Sequence, residues 1–304
     1  MTRLTACLPA GWMMSTIKTG GGTVGETLDR LIFRLEKKSD LPGLDSQVLI
    51  ACVMGRSRSW VMAHPEATLT ENRQAKLEAM VVRFEEGEPL PYILGIQEFF
   101  NLEFVVTPDV LIPRPETELL MERAIDWLRK RKPVGEKLSV LDVGTGSGCI
   151  ATSLAVSITG LSITAIDVSK AALEVALGNA KKKKVSGSIT FLESDLFSNS
   201  LIPNAFSLVV ANPPYIPTRT LYQTTVFGRE PTLALDGGTD GLALIRRILK
   251  DVPNRLLPGG MLLMEIEATE GPAVLSLASA AFPNARIKLH KDLSGHDRLL
   301  EVQA

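Results

Sequence analysis

The sequence contains few residues that could cross-link the chain or hold a metal. Among 304 residues there are three cysteines, Cys7, Cys52 and Cys149. Because their number is odd and their spacing wide, they build neither a disulfide framework nor a zinc site. The three histidines have no cysteine close to them in the sequence. This pattern predicts a protein of a reducing, cytoplasmic compartment.

The sequence also lacks an excess of charge and a long uninterrupted apolar run. A net charge of −1 gives no overall positive field that would attract nucleic acid or an anionic membrane, although a local basic groove stays possible. The most apolar region, residues 138–166, is interrupted by Asp142 and by glycines, which favours two buried strands around a helix over a membrane span. Residues 1–24 lack the design of a signal peptide. We expect a disordered tail there, with an over-extended start or a targeting segment as alternatives.

The pattern in residues 25–90 is helical and predicts a small domain of its own. Leu28, Leu31, Ile32 and Leu35 have the spacing of one helix face. Nine Lys/Arg stand against eleven Asp/Glu between residues 26 and 88, so this domain is not a basic nucleic-acid reader. We expect it to dock a protein substrate. Residues 91–113 then form a proline-stiffened connector and a β-hairpin that turns at Asn101.

Residues 114–304 predict an α/β domain, because apolar runs alternate with helical stretches. We expect a seven-stranded, mostly parallel, doubly wound sheet. Its strands are predicted at Leu138–Val143, Ser162–Ile166, Ser188–Leu192, Phe206–Ala211, Gly260–Glu267, Ala285–Lys291 and Arg298–Val302. Helices are predicted from Pro113 to about Arg131 and at Cys149–Ile158, Ser169–Lys183, Leu242–Leu256 and Gly271–Ala281.

A glycine-rich loop follows the first of these strands. Its alternate glycines let the backbone approach a ligand, and the loop leads into a helix N-terminus. The spacing differs from that of dinucleotide-binding loops. Asp142 stands just before the loop, where an acid disfavours a pyrophosphate and suits a cationic amino acid. The predicted cofactor-binding residues of this segment are Asp142, Gly144, Thr145, Gly146, Ser147 and Gly148.

Two further acids follow the next strands of the predicted sheet. Asp167 ends the second strand, where an acid binds ribose hydroxyls in doubly wound folds. Asp195 and Leu196 follow the third strand and are placed to reach an adenine, although Asp195 alone is equally typical of a turn or helix cap. S-adenosylmethionine (SAM) has an α-amino group, a sulfonium and an adenosine but no phosphate. These residues therefore predict a SAM site.

Asn212-Pro213-Pro214-Tyr215 directly follows the fourth strand and forms a stiff elbow. Proline has no N–H, so the elbow offers carbonyl acceptors. The Asn212 side-chain oxygen and the Pro213 carbonyl suit the two protons of a planar NH2 group, and Tyr215 suits its face. We name Asn212, Pro213 and Tyr215 as candidate catalytic residues and Asn212 to Tyr215 as the substrate site. Beside a SAM site, the elbow predicts methyl transfer to an amide or amine nitrogen.

The chain resembles the HemK/PrmC family of protein-(glutamine N5) methyltransferases. The resemblance runs from Glu88 to the C-terminus. It is carried by Glu88–Gly95, Val110–Glu118, Asp142–Gly148, Asp167, Asn212–Tyr215, Glu230-Pro231, Ala234–Gly238, Asp240–Leu242 and Asp292–Arg298. The Ile-Pro-Arg-Pro-Glu-Thr-Glu segment is more specific to this family than Asn-Pro-Pro-Tyr, which DNA adenine methyltransferases share.

The resemblance implies a class I SAM-dependent methyltransferase with a helical N-terminal domain and a linking hairpin. Its substrate would be the glutamine of the Gly-Gly-Gln motif of class I peptide-chain release factors. We expect a monomer that binds neither membrane nor, stably, nucleic acid. Some relatives carry tryptophan where this chain has Leu196. Met264–Gly271 also departs from the family pattern, and we expect that segment to be peripheral to the site.

Other interpretations stay open at the level of the sequence. Arg114 and Glu116 are interpreted as an interdomain ion pair and a helix-start acid, with a direct catalytic role as the alternative. The target could be a glutamine of a ribosomal protein instead of a release factor. A DNA or RNA amino methyltransferase would need a basic target-recognition region, which is not evident. A SAM-binding subunit without catalysis would not need an intact elbow.

Overall fold

The computed structural model describes residues 22–131 and 138–304. These described residues divide into two compact units, with the boundary between Gly87 and Glu88. The predicted tail lies outside the described residues as far as residue 21, whereas Thr23 and Val24 begin the first helix. No helix within the described ranges is long and apolar enough to cross a membrane.

The described part of the first unit is helical, as the sequence predicts. Thr23 and Glu26 form a capping box at the first helix, and Thr70 accepts from the Arg73 N–H at the last. Gly55, at φ 64°, ends the second helix in the left-handed conformation that glycine tolerates. The helices are α1 (Val24–Leu35), α2 (Pro42–Met54), α3 (Arg58–Ala63) and α4 (Glu71–Glu85).

The second unit begins with a short helix and the predicted hairpin. Helix α5 (Leu90–Leu94) lies within the proline-rich connector, where the sequence predicts no helix. It can form there because Pro91 stands in the first turn, where a residue needs no N–H partner within the helix. Strands β1 (Ile96–Phe99) and β2 (Leu102–Val105) pair antiparallel. The hairpin turns at Phe100 and Asn101, whose φ angles of 50° and 58° are typical of a two-residue turn.

Within residues 138–304 seven strands form one sheet in the order β5-β4-β3-β6-β7-β9-β8. Strands β3 to β7 are parallel, β9 is antiparallel to β7, and β8 is antiparallel to β9. The strands are β3 (Ser139–Val143), β4 (Ser162–Asp167), β5 (Ile189–Glu193), β6 (Phe206–Ala211), β7 (Leu256–Glu265), β8 (Arg286–Lys291) and β9 (Asp297–Gln303). The helices of this unit after α5 are α6 (Glu118–Arg131), α7 (Cys149–Ser157), α8 (Lys170–Lys182), α9 (Thr218–Leu221), α10 (Ala243–Asp251) and α11 (Gly271–Ala281).

The predicted α/β architecture is confirmed, with shifted boundaries at α10, β7 and α6. The helix predicted over Leu242–Leu256 ends as α10 at Asp251, and a 3-10 turn holds Pro253. Proline removes an intrahelical hydrogen bond, so the chain leaves the helix there and β7 starts at Leu256, before the predicted Gly260. The helix predicted from Pro113 starts as a 3-10 turn at Pro115–Thr117, and α6 follows.

Side chains alternate between the two faces of the sheet and build one core on each. Val140 and Leu208 pack with residues of α6 and α7, and with Phe99 and Phe104 of the hairpin. Leu141 and Val209, their neighbours along β3 and β6, pack on the other face with residues of α10 and α11. All six residues of β6 are buried. The central strands are therefore rigidly held, and the loops that follow them are positioned by the sheet.

Candidate active site

The predicted site lies where the direction of strand order reverses. Strand β3 neighbours β6, with β4 and β5 on one side and β7 on the other. Open α/β sheets bind ligands in the crevice beyond the carboxyl ends of the strands at such a switch point. The glycine loop follows β3, and the Asn212–Tyr215 elbow follows β6. The topology thus brings the two predicted halves of the site to adjacent strand ends.

A cavity of about 380 Å³ opens at this edge. That volume lies within the range of about 300–1,000 Å³ that is typical of small-molecule sites. The predicted site residues in its wall are Gly144, Gly146, Asp167, Asp195, Leu196, Asn212 and Pro214. Leu111, which belongs to the Val110–Glu118 segment that carries the resemblance, also lines it, and so do Asp109 and Arg247, which the sequence did not single out. Most of the predicted cofactor residues therefore share one cavity.

Asp142 is fully buried and lies outside the wall of this cavity. Its Oδ2 accepts hydrogen bonds from the Thr145 hydroxyl at 2.7 Å and from the Ala151 N–H at 3.2 Å. Burial raises the pKa of this carboxyl to about 7. These contacts connect the end of β3 to the loop and to α7. They support a role for Asp142 in shaping the glycine loop, while direct contact with a cofactor stays a prediction.

The glycine loop has a conformation that side chains would oppose. Gly144 and Gly146 have φ angles of 71° and 54°. A Cβ atom on Gly148 would lie 2.8 Å from the Ala176 Cβ, so this glycine lets the loop approach α8. Thr145 and Ser147 are buried within the same loop. Thr145, Ser147 and Gly148 support the backbone of Gly144 and Gly146 but lie outside the cavity wall.

Asp167 connects the glycine loop to the end of β4. Its Oδ2 accepts from the Gly146 N–H at 2.9 Å, and its Oδ1 accepts from the Ser169 N–H at 2.9 Å. Burial raises its pKa above the ordinary value of an aspartate. Each carboxylate oxygen has a further lone pair, so Asp167 can also accept from a ligand hydroxyl. This is the chemistry that the predicted ribose contact requires.

The lining of the cavity fits SAM chemically. Asp109, Asp167 and Asp195 contribute carboxyl groups, which suit the cationic sulfonium and ammonium groups, while Val143 and Ile166 provide apolar surface. Both oxygens of Asp195 lie 2.9 Å from the Arg247 Nη2, and this ion pair is exposed. The predicted contact between Asp195 and the adenine amine stays a prediction, as does the packing of Leu196 on the ring.

A second, smaller cavity of about 140 Å³ lies on the elbow. Asn212, Pro213, Pro214 and Tyr215 all line it, and so does Arg114. Asn212 and Pro214 belong to the walls of both cavities. The elbow therefore contacts a large compartment on one side and a small one on the other. This arrangement suits transfer of a small group from a cofactor to a side chain.

A chain of hydrogen bonds connects the two polar side chains of the elbow. The Asn212 Nδ2 donates to the Thr117 Oγ1 at 3.1 Å, and the Thr117 hydroxyl donates to the Glu265 Oε2 at 2.7 Å. The Tyr215 hydroxyl donates to the Glu265 Oε1 at 3.2 Å. Burial raises the pKa of Glu265 to about 7. Glu265 thus lies beside the elbow, and the expectation that the segment Met264–Gly271 is peripheral to the site is wrong.

Arg114 forms its ion pair within the second unit. Its Nη2 donates to the Glu230 Oε1, and the Ile112 N–H donates to the Glu230 Oε2 at 3.1 Å. Glu230 has 2% of its side chain exposed, so this pair fixes the segment around Arg114 against the smaller cavity. The interpretation of Arg114 as an interdomain ion pair is wrong. Glu116 is exposed in the first turn of the 3-10 helix, which confirms its interpretation as a helix-start acid.

Sequence reasoning missed Thr117, Glu230 and Glu265 as parts of the site. Glu265 stands at the carboxyl end of a buried strand, the same place as Asp142 and Asp167. An acid at the end of an apolar run was therefore a signal that could have identified it. For Thr117 the signal was its place in the family-specific Ile-Pro-Arg-Pro-Glu-Thr-Glu segment, although a threonine in the first turn of a helix also has an ordinary explanation as a capping residue.

Two family models match the chain. The description "PrmC N-terminal domain" matches residues 26–95, and "Methyltransferase small domain" matches residues 117–227. Among solved structures, the hMettl16 catalytic domain in complex with a 3′UTR hairpin is similar, with a TM-score of 0.53 at 14% identity over 77% of this chain and 82% of that one. This similarity shows that the fold is that of class I SAM-dependent methyltransferases.

Curated relatives match over most of the chain. A release factor glutamine methyltransferase of Coxiella burnetii is 37% identical over 278 residues, which is 91% of this chain and 98% of the relative. The protein of the same name in Thermosynechococcus vestitus is 43% identical over 225 residues, 73% of this chain and 76% of that relative. The range that matches the methyltransferase small domain, residues 117–227, contains all the predicted cofactor- and substrate-binding residues.

Proposed function

Because the chain belongs to the family of release factor glutamine methyltransferases, we propose that it methylates a glutamine of a peptide-chain release factor. The methyl group goes from SAM to the side-chain amide nitrogen of the glutamine in the Gly-Gly-Gln motif. One observation supports the proposal best: the elbow lines both a cofactor-sized cavity and a smaller one that suits an amide side chain.

The elbow has the acceptors that such a reaction requires. An amide nitrogen is a poor nucleophile because its lone pair is delocalised into the carbonyl. The Asn212 Oδ1 and the Pro213 carbonyl would accept its two N–H groups and turn its remaining lone pair toward the larger cavity. Bound SAM supplies the electrophilic methyl group. The contribution of the chain is then mostly positioning and exclusion of water.

The cofactor would be held by the residues that follow β3, β4 and β5. Gly144 and Gly146 bring the backbone to the cavity, and Asp167 has free lone pairs for ribose hydroxyls. We assign Asp195 and Leu196 to the adenine end, where they line the same cavity. Asp142, Thr145, Ser147 and Gly148 would act by holding the loop. Methylation of the amide leaves a strongly acidic nitrogen, so the reaction needs no dedicated general base.

We assign the helical first unit a role in docking the release factor. Its composition, with more acidic than basic residues between 26 and 88, supports a protein partner over nucleic acid. The match of residues 26–95 to the PrmC N-terminal domain supports the interpretation of this helical segment as a domain of its own. The domain limits that we propose are 25–90 for the docking domain, 91–113 for the connector and 114–304 for the methyltransferase domain.

The proposed function is tested by transfer of tritium from labelled SAM. The purified protein is incubated with a class I release factor, with the same factor carrying alanine in place of the Gly-Gly-Gln glutamine, and with DNA. We expect label on the first substrate alone. Label on DNA or on the glutamine-free factor would overturn the assignment.

A further inference from the structure

The side-chain amide of Asn212 has two orientations with opposite hydrogen-bonding chemistry. With its oxygen toward the cavities it accepts from a substrate NH2 group. With its nitrogen there it would present a donor to another donor, and the substrate amide would not bind. The two orientations have nearly the same shape, so packing distinguishes them poorly. Hydrogen bonds must determine which one is adopted.

Thr117 is the partner that decides between these orientations. Its hydroxyl has a single proton, and that proton goes to the Glu265 Oε2 at 2.7 Å. Only lone pairs then remain on the Thr117 oxygen. That oxygen therefore accepts from the Asn212 Nδ2, at 3.1 Å, and excludes the Asn212 Oδ1 from the same position. The Oδ1 stays as the acceptor at the cavity walls that Asn212 lines.

Glu265 determines the direction in which every hydrogen bond of this network is donated. As a carboxylate it can only accept, so both the Thr117 and the Tyr215 hydroxyls must donate to it. A protonated Glu265 could donate to Thr117 instead. The Thr117 hydroxyl would then be free to donate to the Asn212 Oδ1, and the amide would turn around. One proton on Glu265 thus reverses the hydrogen bonds as far as the elbow.

We propose that Glu265 and Thr117 are positioning residues that fix the Asn212 amide in its substrate-accepting orientation, and that this requires ionised Glu265. The inference rests on the proposed methylation of a glutamine amide. Neither residue lines the two cavities described above, so both act through Asn212 and Tyr215. The tyrosine is held by the same carboxylate, so one group orients both polar side chains of the elbow.

The surroundings of Glu265 bring its ionisation into the physiological range. Burial raises its pKa to about 7, while the hydrogen bonds from Thr117 and Tyr215 and the positive charge of Arg298 oppose the rise. The negative charge of Glu116 also raises the pKa of Glu265. The charge of Glu265 in turn raises the pKa of the Cys149 thiol. Because the working form is the ionised one, turnover should fall as the pH falls through about 7.

The first test measures kcat for release factor methylation between pH 5.5 and 8.5. We expect the unmodified protein to lose activity on the acid side, and Glu265→Gln to lose less, because an amide does not titrate in this range. Asp142, whose pKa burial also raises to about 7, keeps its own contribution in both proteins. Glu301→Gln is the matched control. It removes another buried carboxyl of the same sheet, one that pairs with Arg123 and His290, and it should keep the acid decrease. An acid decrease of unchanged size and midpoint in Glu265→Gln would overturn the role of Glu265.

The second test separates positioning from folding. Thr117→Val keeps the shape and removes the acceptor, so we expect a decrease of at least about tenfold in kcat with the Kd for SAM changed less than about twofold. Thr117→Ser keeps the hydroxyl and should keep most of the activity. If Thr117→Val methylates at the parental rate, Thr117 does not orient the amide.

A third measurement needs no substrate. The side-chain amide resonances of Asn212 in the full-length protein, identified by their loss in Asn212→Ala, should titrate near pH 7 and should stop doing so in Glu265→Gln. If the unmodified protein labels no release factor, the proposed function fails, and this titration still decides the inference. If the factor is labelled but the Asn212 resonances do not titrate, the inference fails while the function stands.

Discussion

At the scale of single residues, the elbow depends on what proline lacks. Pro213 and Pro214 carry no N–H, so this piece of backbone can only accept hydrogen bonds. Asn212 adds one more acceptor, and one N–H of its Nδ2 donates to Thr117. The surface beside both cavities is therefore selective for a group with two donors. A primary amide or an exocyclic amine meets that requirement, whereas a carboxylate does not.

Replacement of Asn212 by alanine should abolish most of the turnover. We expect Asn212→Ala to reduce kcat by orders of magnitude, because the substrate amide loses an acceptor and the alignment that it provides. Binding of SAM, measured by equilibrium dialysis or calorimetry, should be largely unchanged, since the glycine loop and Asp167 are intact. A variant that methylates the release factor at the parental rate would contradict the mechanism.

At the scale of elements, Asn179 of α8 connects the hairpin to the glycine loop. The Val105 N–H of β2 donates to its Oδ1 at 2.8 Å, and its Nδ2 donates to the Val105 carbonyl at 2.9 Å. The same Nδ2 donates to the Ser147 carbonyl at 2.9 Å. A helix side chain thus takes the place of a neighbouring strand for β2. Asparagine inside a helix has low intrinsic propensity, and these contacts explain why it is accommodated.

Loss of the Asn179 amide should destabilise the second unit. Asn179→Ala leaves the Val105 N–H and two carbonyls without their partner at a site where Asn179 is 1% exposed. We expect a decrease of about 2–4 kcal/mol in the free energy of unfolding, measured by urea denaturation, since each buried unsatisfied group costs about 1–3 kcal/mol.

Asn204→Ala is the matched control for Asn179→Ala. It removes an asparagine whose oxygen accepts from Arg255 at an exposed position. A surface change of this kind should alter the free energy of unfolding by less than about 0.5 kcal/mol. Equal stability of the two variants would show that the contacts of Asn179 do not support the fold.

At the scale of the whole molecule, cofactor binding and substrate docking are assigned to different parts of the chain. The residues that line one or the other of the two cavities lie between Asp109 and Arg247, all within the second unit. The first unit has its own buried residues, among them Leu31, Leu49, Val61 and Val81. Each unit therefore has the core that independent folding requires.

Removal of residues 1–87 should separate SAM binding from recognition of the release factor. We expect residues 88–304 to bind SAM with a Kd within about twofold of that of the full chain, because every lining residue is retained. The KM for the release factor should rise at least about tenfold, since the proposed docking surface is lost. Both values come from calorimetry and from steady-state methylation. Loss of SAM binding, or an unchanged KM, would contradict the division of roles.

Much of the architecture was readable because it depends on local patterns. The apolar run Phe206–Ala211 predicts β6 with its observed limits, since a strand buried on both faces needs no polar alternation. Short helices such as α9 were missed, because four residues carry too little periodicity to identify a helix. The start of β7 was also missed. Its first half contains Pro258, Gly259 and Gly260, and proline and glycine are typical of turns, not of strand interiors.

The amino-acid sequence by itself determined the alternation of strands and helices, the glycine loop and the carbonyl-rich elbow. These features follow from residue types that are adjacent in sequence. Only the tertiary structure decided which side chains control the elbow. Thr117 and Glu265 are 148 positions apart, and Asn212 and Thr117 are 95 apart. Their hydrogen bonds exist because β6 and β7 are neighbours in the sheet and the turn before α6 packs against their ends, a proximity that no local pattern contains.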